Sequence, residues 1–352
     1  MNSGIWWIFI SHKGKRTAKK IGRNKKRAFE IAQTIEAQFS LGDLGIIDKK
    51  KNESTFGEYA KSYLEISLPA SCKISTQKNY KYILEKNVLP EFGNTKITDI
   101  NRYKIKQFLL KQFNSGYSAS TVNHIKCAIS NVLNLAVDDE IINANPAHRL
   151  GNFLKKEELN INKKITPLTR EELSDLMKVF KEKFPNDYPL ALTLARTGMR
   201  FGEALGLQWG DIDFENRSIH IQRSYIKGRI DTPKSGKTRK VDMSIQLTET
   251  LKELKNKCGS NSEWIFINKN KNPINGENWR RRIFYPVIKL ARIKKIRIHD
   301  LRHTYASLLL QLGTPMIYVR DQLGHSSIRI TVDTYGHLVP GGNKEVVDKL
   351  DD

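Results

Sequence analysis

The chain has 352 residues, more than one hydrophobic core normally organises, so two or three domains are expected. Its 60 Lys and Arg residues against 37 Asp and Glu residues give a formal net charge of +23, which favours a polyanionic partner, nucleic acid or anionic lipid, over a merely soluble basic protein. The three cysteines, Cys72, Cys127 and Cys258, are scattered singly, which excludes a CxxC zinc pair and a disulfide framework and suits a reducing cytoplasm.

Residues 1–47 are predicted to form a small domain of one short β-sheet and one helix. The run IWWIFI, residues 5–10, predicts a buried strand, HKGK a turn, and RTAKKIG, residues 16–22, a basic partner strand. In KKRAFEIAQTIEAQF the apolar residues recur near helical spacing, which predicts a helix that ends before Gly42.

This N-terminal segment is basic and does not resemble a membrane segment. GIWWIFI is far too short to span a bilayer, no basic segment precedes it, and no small-residue cleavage site follows it, so neither a membrane anchor nor a signal peptide is expected. Residues 1–52 contain twelve Lys and Arg residues against four acidic residues. A charged turn is often only solvated, but this concentration on one hairpin and the start of its helix fits an auxiliary DNA-binding element. Its candidate DNA-binding residues are Lys13, Lys15, Arg16, Lys19, Lys20 and Arg23.

Residues 53–150 are predicted to form a four-helix domain. Four segments place apolar residues at steps of three and four: TFGEYAKSYLEI, STQKNYKYILEKNVLPEFG, ITDINRYKIKQFLLKQF and SASTVNHIKCAISNVLNLAVDDEII. Ser118 and Ser120 are candidate N-caps, and Asn145 with Pro146 is expected to stop the last helix. Helical bundles host many activities, so this pattern alone says little about function.

Residues 165–352 are predicted to form an α+β domain, mostly helix with a small antiparallel sheet, which makes the whole chain multidomain and mainly α. Polar runs at 49–52 and 151–164 are the predicted linkers. Thr169 and Glu172 form a capping box before the first helix. A strand-rich block is predicted at 218–244, and helices are predicted near 170–182, 187–197, 200–207, 246–257, 276–292, 299–312, 315–323 and 327–334.

Two fragments of this third domain place basic residues where they can meet a phosphate. In ARTGMRFGEALGL, Arg200 and Glu203 stand three residues apart on one face of a helical turn. Such a pair is usually a surface contact worth about 0.2–0.5 kcal/mol, but Glu203 can also orient Arg200 toward a phosphate, which a guanidinium grips with two hydrogen bonds. In TPKSGKTRKVD, Lys234 stands at a predicted hairpin turn, whose tip can also reach an adjacent active site.

The fragment IRIHDLRHTYASLLL places His299, Arg302 and His303 at i, i+3 and i+4 of a helix whose other face is apolar. His299 and Arg302 therefore share a face and can approach the same phosphate. A zinc site at His299 and His303 is disfavoured, because the general base of the HExxH motif is missing and an arginine beside a metal cation is unfavourable.

The fragment QLGHSSIRITVDTYGH contains the last two candidate site residues, His325 and Tyr335. Gly324 is expected to end a helix and His325 follows it, a pair that is most often only a cap. Tyr335 is either an aromatic that covers a core or a side chain held out for chemistry. Gly336 is expected to end the helix directly after Tyr335, which would leave the phenol near a mobile terminus.

Six residues of these fragments resemble, in order and rough spacing, the active-site set of the tyrosine recombinases, also called the phage integrase family: Arg200, Lys234, His299, Arg302, His325 and Tyr335. The chain resembles the catalytic domain of that family over residues 165–340. Its helical domain at 53–150 looks like the family's core-binding domain, and residues 1–47 look like its arm-binding domain. Six matching positions in order make this resemblance specific.

The resemblance implies a site-specific recombinase of a phage or other mobile element that cleaves and rejoins DNA through a 3′-phosphotyrosine. Tyr335 would then be the nucleophile, Arg200 and Arg302 would hold the phosphate, and Lys234 would be the general acid. A role for Tyr335 in core packing is then disfavoured. Because the arginines supply the positive charge, no metal or other cofactor is expected.

The remaining implied roles belong to two histidines and one carboxylate. His299 would assist proton transfer at the tyrosine, and His325 would hydrogen-bond a phosphate oxygen. Glu203 would not contact the DNA and would act only by orienting Arg200. Two alternatives stay open: a non-catalytic DNA-binding protein of the same fold, and a type IB-like topoisomerase with the same chemistry and no exchange of partners.

The resemblance also implies partners and a location. Double-stranded DNA with attachment-type sites would be bound by a homotetramer in which residues 341–352 dock on a neighbouring subunit. An accessory DNA-bending or directionality protein is an expected further partner, and no membrane is expected. The location implied is the bacterial cytoplasm, in association with the nucleoid.

Overall fold

The computed structural model divides the chain into two compact units, residues 1–161 and 162–352. The predicted linkers at 49–52 and 151–164 lie outside the described residues, as does the predicted tail at 341–352 apart from Asp348 and Asp351. The described residues are 5–12, 15–22, 24–43, 54–150, 167–232, 238–258, 262–338, 348 and 351. No helix within these ranges is both long and apolar enough to cross a membrane.

The chain begins with a β-hairpin and one helix. Strands β1 (Trp6–His12) and β2 (Lys15–Gly22) pair antiparallel, and helix α1 (Lys25–Asp43) contacts β1. These element types were predicted, but the prediction of a buried strand is wrong, because Trp7 is 50% exposed and Phe9 is 61% exposed. A two-stranded sheet with one helix has too little inward surface to cover both of its faces.

The rest of the first unit is helical, as the apolar spacing predicts. Its helices are α2 (Phe56–Ser62), α3 (Leu68–Ser71), α4 (Ile74–Ile83), α5 (Leu89–Phe92), α6 (Arg102–Asn114) and α7 (Ala119–Asp138). Wide π-helical turns at Tyr63–Ser67 and Leu84–Val88 join α2 to α3 and α4 to α5, so four helical rods pack around one apolar core. Each wide turn ends two residues before a proline, Pro69 or Pro90, whose ring and missing N–H disrupt regular helical bonding.

Helix α7 differs from the prediction at its end. Ser118 caps its start by accepting a hydrogen bond from the Thr121 N–H, as predicted for that serine. The helix ends at Asp138, well before the predicted stop at Asn145. The Asn145 amide instead donates to the Ser130 carbonyl at 2.9 Å and ties the following loop back onto the helix.

The second unit is built around a helix that is buried on nearly all sides, α9 (Tyr188–Thr197). Helices α8 (Arg170–Lys183), α11 (Ile245–Cys258) and α14 (Ile298–Gln311) pack against it. The predicted capping box of Thr169 and Glu172 starts α8. The remaining helices are α10 (Phe201–Leu205), α12 (Gly276–Trp279), α13 (Tyr285–Leu290), α15 (Met316–Leu323) and α16 (Ile328–Tyr335).

The strand-rich block forms two antiparallel sheets. One contains β3 (Ile212–Asp213), β4 (Ser218–Ile221) and β7 (Arg239–Asp242), in the order β3-β4-β7. The other is the hairpin of β5 (Ser224–Ile226) and β6 (Arg229–Asp231). Strands β6 and β7 belong to different sheets. Lys234, for which a hairpin turn is predicted, lies outside the described residues.

Candidate active site

The first candidate, Arg200, lies at the corner between α9 and α10. The Glu203 carboxylate accepts hydrogen bonds from the Arg200 backbone N–H at 2.9 Å and from its Nη1 at 2.8 Å. The Glu203 side chain is 1% exposed, whereas a quarter of the Arg200 side chain remains accessible. This pair is therefore not the surface contact that its spacing usually indicates, and it fixes the guanidinium at the edge of a pocket.

A second arginine, Arg239 on β7, binds the same carboxylate. Its Nη2 donates to Glu203 Oε2 at 2.7 Å and its Nη1 to Oε1 at 3.2 Å, while its Nε donates to the Gln322 carbonyl at 3.0 Å. Gly324, at φ +66°, leaves the space that this arginine fills, since a Cβ there would lie 2.7 Å from Arg239 Cδ. Arg239 thus links β7, α10 and the end of α15.

The third guanidinium, Arg302 on α14, is only 3% exposed. Its Nη1 donates to the carbonyl of Gly198, the residue that caps the C-terminus of α9, at 2.9 Å. Burial, reinforced by the charges of Arg200 and Arg239, lowers the pKa of Arg302 to about 9, so the group is still a cation at neutral pH. Arg200 and Arg239 are paired with the Glu203 carboxylate, which acts on Arg302 only through its charge. Three guanidiniums around this carboxylate give the pocket an excess of positive charge that suits an anion.

Two histidines of α14 line the same pocket. The rings of His299 and His303 meet edge to face at 5.0 Å, as their spacing on one helical face predicts. Desolvation by the surrounding protein atoms, followed by the charges of His303 and Arg302, lowers the pKa of His299 to about 4, although the residue is exposed. His299 is therefore neutral at pH 7 and can approach an incoming group.

His325 follows the α15 cap formed by Gly324, as predicted. Its Nδ1 lies 2.9 Å from the Thr331 hydroxyl on α16. Burial, with Arg302, Arg200 and Arg239 acting in the same direction, lowers the pKa of His325 to about 4. The neutral ring stacks over the ring of Tyr335, with centroids 6.4 Å apart and planes 7° apart.

Tyr335 is the last residue of α16, as predicted, but it is not held out in solvent. The side chain is 1% exposed, and its hydroxyl lies 2.8 Å from His303 Nδ1. Burial raises the pKa of Tyr335 to about 12, against an opposing effect of Arg302. The ring packs in a small apolar group with Tyr305, Ala306, Leu310, Val319 and Leu323. Tyr335 is therefore both a core residue and a member of the cationic pocket.

The structure brings together five of the six residues predicted for the active site: Arg200, His299, Arg302, His325 and Tyr335. Lys234 lies outside the described residues. Of the predicted DNA-binding residues, Lys20 is exposed on β2, the strand that also contains Lys15, Arg16 and Lys19. Lys13 and Arg23 lie outside the described residues. Within the described ranges, no group of three or more His, Cys, Asp or Glu side chains is arranged to hold a metal ion.

Sequence reasoning missed Arg239 and the hydrogen bond of His303. A signal for Arg239 exists in the strand RKVD, because Arg239 and Val241 share the face opposite to the exposed Lys240 and Asp242. A charged residue on the inner face of a strand requires a buried partner. His303 stands next to Arg302, one helical turn after His299, and its position on that face was interpreted only in terms of zinc.

Known proteins are similar to this chain in sequence and in fold. Residues 166–340 match the model of the Phage integrase family, and residues 55–111 match the model named Phage integrase, N-terminal SAM-like domain. The chain is 30% identical to the ICEBs1 integrase of Bacillus subtilis (strain 168), over 95% of this chain and 92% of that protein.

Two solved structures show the same fold at lower identity. One is the Tn1549 transposon integrase in complex with transposon right end DNA, with a TM-score of 0.71 and 20% identity over 85% of this chain and 100% of that chain. The other is a lambda integrase tetramer bound to a Holliday junction, with a TM-score of 0.64 and 18% identity over 93% and 94%. Together with the nearly full-length match to the integrase of B. subtilis, the cationic pocket beside Tyr335 leads to one conclusion: the chain belongs to the phage integrase family and is a tyrosine recombinase, an enzyme that breaks and rejoins DNA at specific sites.

Proposed function

We propose that this recombinase serves a mobile element, acts on double-stranded DNA at attachment-type sites, and uses Tyr335 as its nucleophile. The observation that supports this most is the excess of guanidinium charge next to the Tyr335 hydroxyl. The phenol is a poor nucleophile at neutral pH, because burial raises its pKa to about 12. A bound phosphate brings the reacting phosphorus and completes the charge balance of the pocket.

Arg200 and Arg302 are the proposed phosphate clamps. Arg302 is already anchored to the Gly198 carbonyl and Arg200 to Glu203, so neither guanidinium must be ordered when the DNA arrives. Their fixed charges stabilise the additional negative charge of the pentavalent transition state, the role that divalent cations have in many nucleases.

The reaction forms one phosphate ester as it breaks another. Tyr335 Oη bonds to phosphorus, the bond from phosphorus to the 5′ oxygen breaks, and a 3′-phosphotyrosine and a 5′-hydroxyl result. Lys234 is proposed as the general acid that protonates the leaving 5′ oxygen. His325 and His299 are proposed to act on the phosphate and on the tyrosine, respectively.

The proposed assembly is a homotetramer that joins two duplexes, because exchange of strands needs two partners with two cleavable strands each. The lambda integrase on a Holliday junction is a tetramer of the same fold, which supports this assembly for the present chain. An arm-binding domain at 1–47, a core-binding domain at 53–150 and a catalytic domain at 165–352 are the proposed division of labour. A DNA-bending or directionality protein, and a cytoplasmic location near the nucleoid, belong to the same proposal.

The test uses a duplex that carries the junction between the encoding element and its flanking DNA. A nick just beyond the cleavage position lets the released 5′-hydroxyl strand diffuse away, so the covalent adduct accumulates and is counted by denaturing electrophoresis. We expect the wild-type chain to form the adduct and Tyr335→Phe to form none, because the phenyl ring has no oxygen to bond to phosphorus.

Tyr285→Phe is the matched control, since Tyr285 lies on α13, is 37% exposed, and has no proposed role in the reaction. Its adduct yield should equal that of the wild type. An adduct formed by Tyr335→Phe would contradict the nucleophile assignment. Absence of an adduct from the wild-type chain would favour the non-catalytic alternative, and relaxation of a plasmid without any junction would favour the topoisomerase.

A further inference from the structure

The hydroxyl of Tyr335 has a defined partner in the DNA-free chain, and it is His303. The Oη–Nδ1 distance is 2.8 Å, and the ring centroids lie 5.7 Å apart. Since Tyr335 is 1% exposed, its hydroxyl hydrogen cannot be satisfied by bulk water. His303 Nδ1 is the acceptor that the described residues offer to it.

This contact determines the tautomer of His303. If Tyr335 donates to Nδ1, the ring proton must reside on Nε2. Burial lowers the pKa of His303; the Asp300 carboxylate opposes this effect, and Arg297 and Arg302 reinforce it. The ring is therefore neutral at pH 7, and Nδ1 presents a lone pair to the nucleophile.

We propose that His303 is a catalytic residue of this recombinase, the base that accepts the Tyr335 proton as the phenol attacks the DNA phosphate. The proposal rests on the function proposed above, in which Tyr335 is the nucleophile. It moves to His303 the proton transfer at the tyrosine that the family resemblance implies for His299, and it replaces the role given to His299 in the function proposed above.

The geometry separates the two histidines. His303 is hydrogen-bonded to the phenol, whereas His299 is an exposed residue whose ring contacts that of His303 edge to face. A base must reach the proton that it removes, and a heavy-atom distance of about 2.6–3.2 Å meets that requirement. His299 is therefore free of a role at the tyrosine and is available to contact the bound phosphate.

The proton and the bonds balance in both directions. As Tyr335 Oη bonds to phosphorus, its proton moves to His303 Nδ1 and the ring becomes an imidazolium. The bond to the 5′ oxygen breaks, and that oxygen takes its proton from the general acid. In religation an incoming 5′-hydroxyl attacks the phosphotyrosine and gives its proton to the deprotonated general acid. The bond from phosphorus to Tyr335 Oη breaks, and His303 returns its proton to the departing phenolate.

The test compares three substitutions of His303 in the full-length chain, using the nicked duplex described above and a single-turnover assay. His303→Asn keeps an acceptor for the Tyr335 hydroxyl but cannot hold its proton, so adduct formation should slow by about 10²-fold or more. His303→Phe, which lacks both functions, should be at least as slow. His303→Ala should regain rate on addition of imidazole, in a saturable manner.

A second substrate distinguishes a defect in protonating the leaving group from a defect in removing the proton of Tyr335. Replacing the bridging 5′ oxygen by sulfur gives a leaving thiolate that needs no protonation. This substrate should relieve a defect in Lys234→Ala, the variant of the proposed acid, and should leave the defect of His303→Asn in place. Relief of His303→Asn by the sulfur substrate would overturn the proposal.

The controls separate loss of folding and loss of the whole function from loss of this one proton transfer. Duplex affinity and the thermal midpoint of His303→Asn should match those of His220→Asn, a histidine variant on β4. A rate for His303→Asn equal to or above the wild-type rate would overturn the proposal, because His303 would then only hold or restrain the tyrosine. If Tyr335→Phe still forms the adduct, the proposed function itself fails, whatever His303 does.

Discussion

At the scale of single residues, the charge balance of the pocket depends on Glu203. Its buried carboxylate accepts hydrogen bonds from both Arg200 and Arg239. Burial alone would raise the pKa of Glu203, but hydrogen bonds and charge from Arg239 and then Arg200 outweigh it, and the pKa lies below its usual value of 4.5. Glu203 is therefore ionised at neutral pH, and its charge compensates the charges of Arg200 and Arg239.

Removing this charge should cost stability in a pH-dependent manner. Glu203→Gln leaves two partly or fully buried guanidiniums without their anion, which should lower the free energy of unfolding by about 3 kcal/mol at pH 7. A carboxyl whose pKa is lowered by folding stabilises the fold above its unfolded pKa, about 4.5 here, and loses that effect as the pH falls through the folded value. The difference between wild type and Glu203→Gln should thus be constant near neutrality and shrink below about pH 4.5, as measured by urea unfolding across pH.

The control for this prediction is Asp211→Asn. Asp211 is also buried and ion-paired, with Arg223 Nη1 at 2.5 Å from its Oδ2, but it lies outside the pocket. Both variants should lose stability, whereas only Glu203→Gln should slow adduct formation, because only Glu203 positions Arg200. Equal adduct rates for the two variants would contradict the positioning role.

At the scale of elements, the corner after α9 sets the position of α14. Gly198 ends α9 at φ +59°, its carbonyl accepts from Arg302, and its hydrogen side faces the ring of Tyr305. A methyl group there would collide with Tyr305 and also approach Leu323. The closeness of α14 to this corner thus requires glycine for two reasons, its backbone conformation and its lack of a side chain.

Gly198→Ala should destabilise the fold and also displace Arg302. The matched control is Gly313→Ala, which has a similar left-handed backbone at φ +78° with open space around it. The control should lose about 1 kcal/mol from backbone strain alone, whereas Gly198→Ala should lose about 2 kcal/mol more from overpacking. Urea unfolding measures both, and only Gly198→Ala should also slow adduct formation. Equal losses would mean that α14 can move away from the corner without cost.

Sequence reasoning succeeded for elements and for residues close together in the chain. Apolar spacing predicted the helices of both units, and the fragment HDLRH correctly placed His299 and Arg302 on one face of α14. It failed where contacts are distant in sequence, since Arg239 meets Glu203 and the Gln322 carbonyl, partners that lie on α10 and α15. The local pattern of β7 indicates that Arg239 needs a buried partner, but it does not show which residue that partner is.

The burial of Tyr335 was missed for a similar reason. A tyrosine near a helix end looks exposed in sequence, but α15 and α14 together provide the cavity that its ring fills. Helix α16 buries only Thr331 and Tyr335 on its inner side, while Ile330 and Val332 stay 43% and 47% exposed. Because so few of its residues are buried, we expect α16 to be held less firmly than the helices of the core.

At the scale of the whole molecule, positive charge is spread along the chain and is not confined to the pocket. Residues 1–52 carry a net charge of +8 and the remainder +15, so both parts attract duplex DNA. The N-terminal hairpin and helix also expose the aromatic side chains of Trp7, Phe9 and Phe29. If only net charge matters, removing three positive charges should weaken DNA binding equally wherever they lie in the chain. If the N-terminal hairpin and helix form a DNA-binding surface, removing charges there should weaken binding more.

Two substitution sets with the same change in net charge distinguish these cases. Replacing Lys20, Lys26 and Arg27, exposed on β2 and α1, by alanine should reduce the slope of log affinity against log salt for duplex DNA, by as much as about 2.7 at about 0.9 for each phosphate that the protein no longer neutralises. The matched set replaces three exposed lysines of α8: Lys178, Lys181 and Lys183. Fluorescence anisotropy over a range of salt concentrations gives both slopes, and the α8 set should keep the wild-type value. If the two sets reduce the slope equally, the hairpin and α1 contribute only net charge, and the proposed arm-binding role of residues 1–47 is wrong.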